Sequence, residues 1–228
     1  MSQINIQYFE TIDSTNTYAK RNASTLPLPA LIIADEQTAG RGRRGNSFFS
    51  PKNTGLYMTL VTDEPNNPEL ITPAAAVAVC KVLERHGVMP KIKWVNDLFY
   101  NKKKVCGILS ERIAANEKNI IAIGIGINLT TAEFPEELSL AGNINLDIKK
   151  EKLAEEIANE LLIQINSCET VSEYRKRLFI LGNEISYSYN GITQTTMAVD
   201  INECCNLIVR NSDGSTRILS SGEISIKL

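Results

Sequence analysis

Three arginines and three glycines share the six positions from Gly40 to Gly45, inside the stretch TAGRGRRGNSFFSP. Glycine lets the backbone approach a ligand closely, and arginine carries planar forks of N–H donors that fit phosphate and carboxylate oxygens. A second basic stretch contains Lys91, Lys93, Lys102, Lys103 and Lys104. The net charge of the chain is only −2. Local clustering of this kind predicts a site for a compact anion such as phosphate or an adenylate, because a long polyanion would favour a basic face and a net positive charge.

The glycine spacing of this arginine loop also fits two phosphate-binding motifs, and the residues that follow exclude both. Gly40-x-Gly42-x-x-Gly45 has the spacing of the dinucleotide-binding fingerprint, which requires a helix to begin at the loop. The chain continues instead as NSFFSPKNTGLYM, which leads into a predicted strand. A P-loop needs Lys followed by Ser or Thr, where this chain has Asn46 and Ser47. A different anion-binding arrangement is therefore predicted, with a solvated basic turn as the alternative.

The composition is that of an ordinary globular protein, with 43% hydrophobic and 22% charged residues among 228. This length suits one large core, or one main domain with a small appendage. No apolar run approaches the ~18 residues that span a bilayer, and the first residues lack the pattern of a signal peptide. The single histidine leaves no candidate for a histidine-rich metal site or a Ser-His-Asp triad. The five cysteines, without a C-x-x-C, are most simply reduced thiols, so we expect a cytoplasmic protein. Because the net charge is only −2, the molecule as a whole is not attracted to nucleic acid or to an anionic membrane, and we expect it to bind neither.

The elements that position the basic stretches follow from the hydrophobic pattern. Strands are predicted at 4–9, 30–36, 55–62, 91–94, 103–113 and 119–129, with NDLFYNKK as a turn. Helices are predicted at 13–22, with Asp13 or Ser14 as the N-cap, and at 68–87, 149–168 and 171–182. From about residue 183 the chain changes to short strands separated by turn residues, including an Asp213–Gly214 hairpin signal. The pattern predicts an α+β domain over residues 1–180 and a small all-β barrel over residues 181–228.

Five motifs, in order and spacing, resemble the catalytic core of biotin–protein ligases. They are DSTN (13–16), QTAGRGRRG (37–45), SP (50–51), KIKWVNDLFYNKKKVCGILSE (91–111) and GIGINL (124–129). The tail, from YRKRLFILG to SGEIS, is similar to the C-terminal domain of that family. The resemblance implies a mixed-sheet catalytic domain of the biotin/lipoate ligase type followed by an SH3-like barrel. It also implies a two-step reaction, in which biotin and Mg-ATP form biotinyl-5'-AMP and the acyl group then passes to a lysine of a biotin carboxyl carrier protein domain.

The resemblance assigns three groups of site residues, with no residue set aside for a protein-held metal. Hydroxyls, amides and glycines suit the N–H donors and the carbonyl of the ureido ring of biotin; these residues are Ser14, Thr15, Asn16, Gln37, Gly42 and Gly107. The nucleotide is assigned to Arg41, Arg43, Trp94, Asn96, Lys104 and Asn128. The catalytic residues are assigned as Lys104, Arg41, Arg43 and Asp97. Lys104 is expected to reach both the biotin carboxylate and the α-phosphate.

Several of these residues also have a purely structural interpretation. Ser14 could cap the first helix as well as bind, and Trp94 could be buried in the core instead of forming a pocket wall. Three glycines interrupt predicted strands, either as bulges or because something approaches the backbone closely; they are Gly107, Gly124 and Gly126. Asp97 could receive the target lysine or hold magnesium, and the sequence leaves both open.

The chain departs from the family pattern at three positions near the site. Val95 stands where the family usually has proline, which should leave the chemistry unchanged. Asn46 and Phe48 stand where arginine and tryptophan are common, so we expect weaker ligand-driven ordering of the loop. The chain also begins directly at the catalytic motifs, without the helix-turn-helix domain of repressor-type members, and no DNA binding is expected.

The expected partners are biotin, ATP and the carrier domain of a biotin-dependent carboxylase, for a monomer or homodimer. One alternative is a lipoate–protein ligase or octanoyl transferase, although such enzymes lack the GRGRRG and KW-NDL strings. The other is a non-catalytic nucleotide- or RNA-binding protein, which the aromatic residues near the basic stretches would favour.

Overall fold

Two β-sheets organise the computed structural model, which describes residues 3–115, 118–189, 192–220, 222 and 224–226. The first sheet contains β1 (Asn5–Ile12), β2 (Ala30–Gln37), β3 (Gly55–Asp63), β4 (Lys91–Lys93), β5 (Asp97–Tyr100), β6 (Lys103–Ala115) and β7 (Lys118–Asn128). The second contains β8 (Glu184–Tyr189), β9 (Ile192–Ile201), β10 (Leu207–Arg210), β11 (Thr216–Leu219) and β12 (Ile224–Ile226). The α-helices are α1 (Thr15–Asn22), α2 (Ile71–Arg85), α3 (Lys150–Gln164) and α4 (Thr170–Arg177).

The first sheet is mixed and the second is antiparallel. The strand order of the first is β1-β2-β3-β7-β6-β5-β4, with β1 and β2 parallel and the other neighbours antiparallel. A parallel pair needs a crossover connection, and α1 lies in that connection. The second sheet has the order β11-β10-β9-β8-β12. The predicted fold class, α+β with a C-terminal all-β unit, is confirmed; the boundary at residues 180 and 181 stays a prediction.

Helices α2 and α3 cover one face of the first sheet, and α1 covers part of the other. Strand β2 shows the reason, because Leu31 and Ile33 belong to the core cluster that contains α2, while Ala30 and Ile32 pack with Ala19 of α1. Successive side chains of a strand point to opposite faces, so a strand that is apolar on both faces is covered on both. The part of the sheet that α1 leaves uncovered carries the predicted site residues.

The helix ends follow the expected chemistry at α1 and at Gly87, whereas α3 ends at Gln164 and α4 at Arg177, four and five residues earlier than predicted. Ser14 caps α1, because its extended backbone lets its hydroxyl accept the N–H of Thr17 at 3.4 Å. Helix α2 begins at Ile71, three residues later than predicted, since Pro68–Leu70 forms a 3₁₀ turn. Gly87 follows α2 with φ of 81°, as a C-terminal cap requires. Within the described residues, no helix is long and apolar enough to cross a membrane.

The prediction that NDLFYNKK is a turn was wrong, because its first half forms strand β5. Leu98 and Phe99 are buried, and β5 pairs with β4 on one side and β6 on the other. The actual turn lies at Asn101 and Lys102, which have φ of 48° and 63°. Burial of two large apolar side chains outweighs the turn preference of Asn96 and its neighbour.

Three of the cysteines behave as core residues. Cys80, Cys106 and Cys205 are buried free thiols. Burial raises the pKa of Cys80 and of Cys205 to about 12, and it raises the pKa of Cys106 well above its ordinary value. Since the thiolate is the reactive form, these three side chains are chemically quiet.

Candidate active site

The arginine loop folds back on itself as a narrow hairpin. The N–H of Gly42 donates to the carbonyl of Asn46 at 2.7 Å, and the N–H of Phe48 donates to the carbonyl of Gly40 at 2.9 Å. Gly45 at the tip has φ of 81°, a conformation that glycine adopts without strain. The loop then leads into β3 and not into a helix, as expected from its sequence.

This loop forms one wall of a cavity of about 300 Å³ beside α1. The cavity is lined by all the residues predicted for biotin binding and catalysis, namely Ser14, Thr15, Asn16, Gln37, Arg41, Gly42, Arg43, Asp97, Lys104 and Gly107. Trp94 and Asn96 line it as well, whereas Asn128 lies elsewhere. Folding therefore brings the two basic stretches to one space, which we call the first cavity.

Asp97 and Asn96 hold two of the cations of the first cavity. The Nζ of Lys104 lies 2.8 Å from Oδ1 of Asp97, across the β5–β6 pair. Arg43 donates through Nη1 to Oδ1 of Asn96 at 3.0 Å, and Nδ2 of Asn96 donates to Oδ1 of Asp97 at 3.1 Å and to the carbonyl of Ile108 at 3.0 Å. Charge-assisted hydrogen bonds thus join the loop to the sheet.

The other end of the first cavity is a network of hydroxyls and amides at the start of α1. Oε1 of Gln37 accepts the N–H of Thr15 at 2.9 Å, and Nε2 of Gln37 donates to the hydroxyl of Ser50 at 3.0 Å. The hydroxyl oxygen of Thr59 lies 2.8 Å from that of Thr15 and 2.6 Å from Oδ1 of Asn16. Because most of these groups are buried and already bonded, they are held in place before a ligand binds.

A partly buried carboxylate lies behind Asn16. Oε2 of Glu111 accepts Nδ2 of Asn16 at 3.0 Å, and Oε1 accepts Nζ of Lys20 at 2.6 Å. Burial alone would raise the pKa of Glu111, but the hydrogen bonds from Lys20 and Asn16, with the charges of Lys20 and Arg41, hold that pKa below its ordinary value. Glu111 is therefore ionised at neutral pH and can only accept hydrogen bonds.

The strand glycines make room for side chains of the protein itself. A Cβ at Gly124 would collide with Asn16, and one at Gly126 would collide with the ring of Phe48. A Cβ at Gly107 would lie 3.1 Å from the same ring. Gly107 and Gly126 are partners in the unbroken register of β6 and β7. Close approach, and not a bulge between these strands, accounts for the glycines.

Trp94 connects the two sheets at the edge of the first cavity. Its side chain is buried and donates through Nε1 to the carbonyl of Cys205 in the C-terminal unit at 2.9 Å. It also lines the first cavity, so both interpretations of this tryptophan hold. Gly222, Ile224 and Ser225 of the C-terminal unit line the same cavity. The C-terminal unit thus contributes to the wall of the site.

A second cavity, of about 230 Å³, adjoins the first. Ser47, Phe48 and Lys104 line both, so Lys104 stands where the two meet. Asn128, which is 5% exposed, lines the second cavity and donates through Nδ2 to the carbonyl of Gly142 at 2.9 Å. Its Oδ1 has no hydrogen-bond partner among the described residues. An unpaired buried acceptor is costly.

The rest of the second cavity is mainly apolar, and the segment that contains Leu140 holds the backbone of Lys104. The rings of Phe49 and Phe134 lie 6.2 Å apart on its wall. The N–H of Lys104 donates to the carbonyl of Leu140 at 2.8 Å, and its carbonyl accepts the N–H of Gly142 at 2.9 Å. An apolar space with few polar groups suits a flat aromatic ring.

Within the described part of the chain, no three His, Cys, Asp or Glu side chains lie close enough together to hold a metal ion. Asp97 supplies a carboxylate on the wall of the first cavity. Magnesium prefers oxygen ligands and commonly binds through one or two carboxylates together with the phosphates of a nucleotide. The oxygen donors present fit a magnesium that arrives with a triphosphate better than one held by a protein cage.

Comparison with known proteins identifies the family of the chain. The model of the biotin/lipoate A/B protein ligase family matches residues 8–128, which is more than half of the chain. The chain belongs to this family. The model of the biotin protein ligase C terminal domain matches residues 180–227.

Relatives of this ligase-family chain include two curated proteins and one solved structure. The Bifunctional ligase/repressor BirA of Bacillus subtilis is 37% identical over 139 residues, or 58% of this chain and 43% of that protein. The Biotin--[acetyl-CoA-carboxylase] ligase of Paracoccus denitrificans is 35% identical over 127 residues, or 53% of this chain and 52% of that protein. The chain thus matches about half the length of each. The biotin protein ligase from Aquifex aeolicus in complex with biotin and ATP has a TM-score of 0.84, with 25% identity over 98% of both chains.

Three features of the site were missed by the sequence analysis. Thr59 and Glu111 look like ordinary strand residues, and only their neighbours in space connect them to the cavity. The wall contributed by residues 222, 224 and 225 comes from the C-terminal unit. The alternation of side chains along β6 could have found Glu111. It is the last residue of the motif CGILSE and shares a face with Gly107, and a charged residue on that face of the sheet needs a partner.

Proposed function

We propose that this protein activates biotin with ATP to biotinyl-5'-AMP, releases pyrophosphate, and transfers the biotinyl group to one lysine of a biotin carboxyl carrier protein domain. The observation that carries the proposal is the position of Lys104 where two cavities meet, with Arg41 and Arg43 on the wall of the first. Two substrates that react with each other need adjoining sites that meet at the reacting atoms. The name of the Aquifex aeolicus complex, with biotin and ATP, supports the same two substrates.

In the proposed first step, a carboxylate oxygen of biotin attacks the α-phosphorus of ATP and pyrophosphate leaves. Both reactants are anions, so catalysis consists mainly of alignment and of positive charge placed in advance. Lys104 contacts the carboxylate and the α-phosphate, while Arg41 and Arg43 donate to phosphate oxygens. The side chain of Lys104 is 37% exposed in its pair with Asp97, so an incoming anion can reach it.

The ureido ring of biotin is proposed to bind at the hydroxyl and amide end of the first cavity. Ser14, Thr15, Asn16 and Gln37 line that end, and their hydrogen bonds to neighbours fix their orientation. Gly42 lets the backbone approach the rest of the ligand, and Gly107 lines the same cavity beside the ring of Phe48. The carboxylate of biotin then points toward Lys104.

The nucleoside is proposed to occupy the second cavity. Asn128 lines this cavity, and its side-chain amide is assigned to the nucleotide. Phe49 and Phe134 offer an apolar wall for the base. Trp94 and Asn96 line the first cavity, so their proposed contacts are with the α-phosphate side of the nucleotide.

In the proposed second step, the target lysine attacks the biotinyl carbonyl and AMP leaves. A free lysine has a pKa near 10.4, so its ammonium must be received and deprotonated first. Asp97 is the carboxylate proposed for that role. Magnesium bound to the triphosphate would screen its charge in the first step, and Asp97 would be its protein ligand there.

The carrier domain, the cytoplasmic location and the choice between monomer and homodimer remain predictions. The family name covers lipoate as well as biotin, so a lipoate–protein ligase is the candidate to exclude. No observation on the described residues favours a non-catalytic nucleotide- or RNA-binding protein. Of the aromatic residues near the cations, Phe48, Phe49 and Trp94 form cavity walls, and Phe99 and Tyr100 pack in or against the core.

The proposed function can be tested by incubating the protein with ATP, biotin and a carrier domain of a biotin-dependent carboxylase, followed by intact-mass measurement of the carrier. We expect the mass of one biotinyl group on the carrier, none with lipoate in place of biotin, and none when the target lysine is replaced by arginine. Modification with lipoate but not with biotin would contradict the proposal.

A further inference from the structure

The side chain of Asn16 lies across three neighbouring strands of the first sheet. Its Nδ2 donates to the carbonyl of Leu109 at 3.2 Å and to Glu111 at 3.0 Å, both on β6, and its Oδ1 lies 2.6 Å from the hydroxyl of Thr59 on β3. Between them on β7, Gly124 is the register partner of Leu109 and of Thr59, and a Cβ there would collide with Asn16. A carbonyl and a carboxylate can only accept, so the amide of Asn16 has one orientation.

That orientation fixes the direction of the hydrogen bonds further along the network. Each hydroxyl has a single hydrogen, and Oδ1 of Asn16 can only accept, so the hydrogen of Thr59 points to Asn16. The 2.8 Å contact between Thr59 and Thr15 then requires the hydrogen of Thr15. Oε1 of Gln37 lies 3.1 Å from the hydroxyl oxygen of Thr15, which is a longer distance, and it accepts the backbone N–H of Thr15 at 2.9 Å instead. The hydroxyl of Thr15 is left with a free lone pair, and Thr15 lines the first cavity.

We propose that Glu111 is a positioning residue that, together with the carbonyl of Leu109, sets the direction of this network, so that Thr15 accepts a hydrogen bond from an N–H of the ureido ring of biotin. The inference rests on the proposed function, and it names the residue that makes the site select an N–H donor. Glu111 acts through Asn16 from behind the cavity wall. Lys20 holds its other oxygen at 2.6 Å, so both oxygens of the carboxylate are engaged.

Glu111→Gln is the informative change because it keeps the size of the side chain and removes the charge. A glutamine that keeps its oxygen on Lys20 turns its N–H₂ group toward Nδ2 of Asn16, so that two donors face each other. Asn16 must then either move away or rotate its amide, which would place Oδ1 against the carbonyl of Leu109. A rotated amide reverses the hydrogens of Thr59 and Thr15, so that Thr15 presents a donor to a ligand N–H. The bond between Lys20 and residue 111 is weakened in the same variant.

Titration calorimetry with biotin alone and with ATP alone tests the proposal. For Glu111→Gln we expect the Kd for biotin to rise by ~10-fold or more, as for loss of a hydrogen bond to a charged group, with the Kd for ATP within about twofold of wild type. The matched control is Glu64→Gln, which loses a 2.7 Å ion pair to Arg112 away from the cavities and should leave both values unchanged. A wild-type protein that does not bind biotin sinks the proposed function. A wild type that binds biotin, together with a Glu111→Gln variant that binds it equally well, overturns the inference alone.

A second variant keeps the test decisive if Glu111→Gln unfolds. Thr59→Val keeps the shape of the side chain and removes the hydroxyl that links Asn16 to Thr15, so it should also raise the Kd for biotin by about fivefold or more and leave that for ATP unchanged. If both single variants fold, the double variant should bind biotin little worse than either, because both changes break one chain of hydrogen bonds. Losses that simply add, or a Thr59→Val variant with normal biotin binding, contradict the proposal.

Discussion

The two ends of the first cavity hold their polar groups in different ways. At the α1 end, Thr15 and Asn16 are buried and bonded to strand residues. At the other end, Arg41 is exposed to water, and the partly exposed side chain of Lys104 pairs with Asp97 at 2.8 Å.

This difference matches two kinds of recognition. A neutral ring is selected by donors and acceptors that need no reorganisation when it binds. A triphosphate is attracted by charge, which acts over longer distances and tolerates side chains that move. We therefore expect changes at the α1 end to alter biotin affinity, and changes at the cationic end to alter rates.

The largest expected effect is that of Lys104→Ala at the cationic end. Adenylate formation should fall by ~100-fold or more, the usual result of removing one preorganised donor to developing charge. The Kd for biotin should change by less than about threefold. Rapid-quench measurement of biotinyl-5'-AMP and calorimetry give the two values.

A matched control for Lys104→Ala is Lys102→Asn, which removes a neighbouring charge on the turn. Asparagine tolerates the φ of 63° at this position, so the fold should be kept. Adenylate formation should stay within about twofold of wild type. A loss in Lys104→Ala that appears in biotin binding while the rate is kept would reverse the comparison between the two ends.

The sequence was sufficient for the strands that alternate or are apolar on both faces, such as β2 and β7, and for the motif residues that line the first cavity. It was not sufficient for β5, because only three apolar residues separate the turn residues Asn96 and Asp97 from Asn101. Burial of Leu98 and its pairing with two neighbouring strands reveal the strand.

Contacts between distant parts of the chain could not be predicted from the sequence either. Glu111 and Thr59 reach the site through Asn16, and that contact depends on sheet register. The sequence indicated close approach at Gly124 and Gly126, but the groups that approach are Asn16 and Phe48 of the protein itself. A local pattern cannot identify a partner that folding brings from another element.

The next largest effect separates the two chemical steps at the cationic end. Asp97→Asn should slow transfer from preformed biotinyl-5'-AMP to the carrier lysine by ~10-fold or more, because the carboxylate that we propose receives the ammonium is gone. Adenylate synthesis should fall less. Single-turnover assays of each step make the measurement, and equal losses in both would remove Asp97 from the second step.

A smaller effect is expected in the arginine loop, which supplies Arg41 and Arg43 to the cationic end. Trypsin cleavage after Arg44, which is exposed at the loop tip, should slow several-fold when biotin and ATP are both present, since ligand contacts from Arg41 and Arg43 hold the loop closed. Biotin alone should protect less, as it lacks the phosphates. Cleavage at one rate under all conditions would contradict closure by the ligands.

The smallest effect concerns an ion-pair cluster that serves only as a reference. Glu173 lies 2.7 Å from Lys176 and 2.6 Å from Arg177, and hydrogen bonds from these two cations lower its pKa to about 2. Since the pKa is depressed in the folded state, the stabilisation is complete above the ordinary value near 4.5 and is lost as the pH falls toward 2.

Urea unfolding at pH 7, 5 and 3 measures this contribution. Glu173→Gln should destabilise by about 1 kcal/mol at pH 7 and by less at pH 3, with no change in the Kd for biotin at pH 7. A Glu173→Gln variant with altered biotin affinity would show that an ion-pair cluster outside the cavities influences the site. Changes in biotin affinity could then no longer be assigned to one end of the first cavity.

The most direct test of the central claim is exchange of labelled pyrophosphate into ATP. The central claim is that cations from two separate stretches offset the repulsion between the carboxylate of biotin and a triphosphate. Exchange should therefore require biotin and should fall by ~100-fold or more in Lys104→Ala. Lipoate should not support it. Exchange that is independent of biotin, or equal with lipoate, or unchanged in Lys104→Ala, would contradict the account.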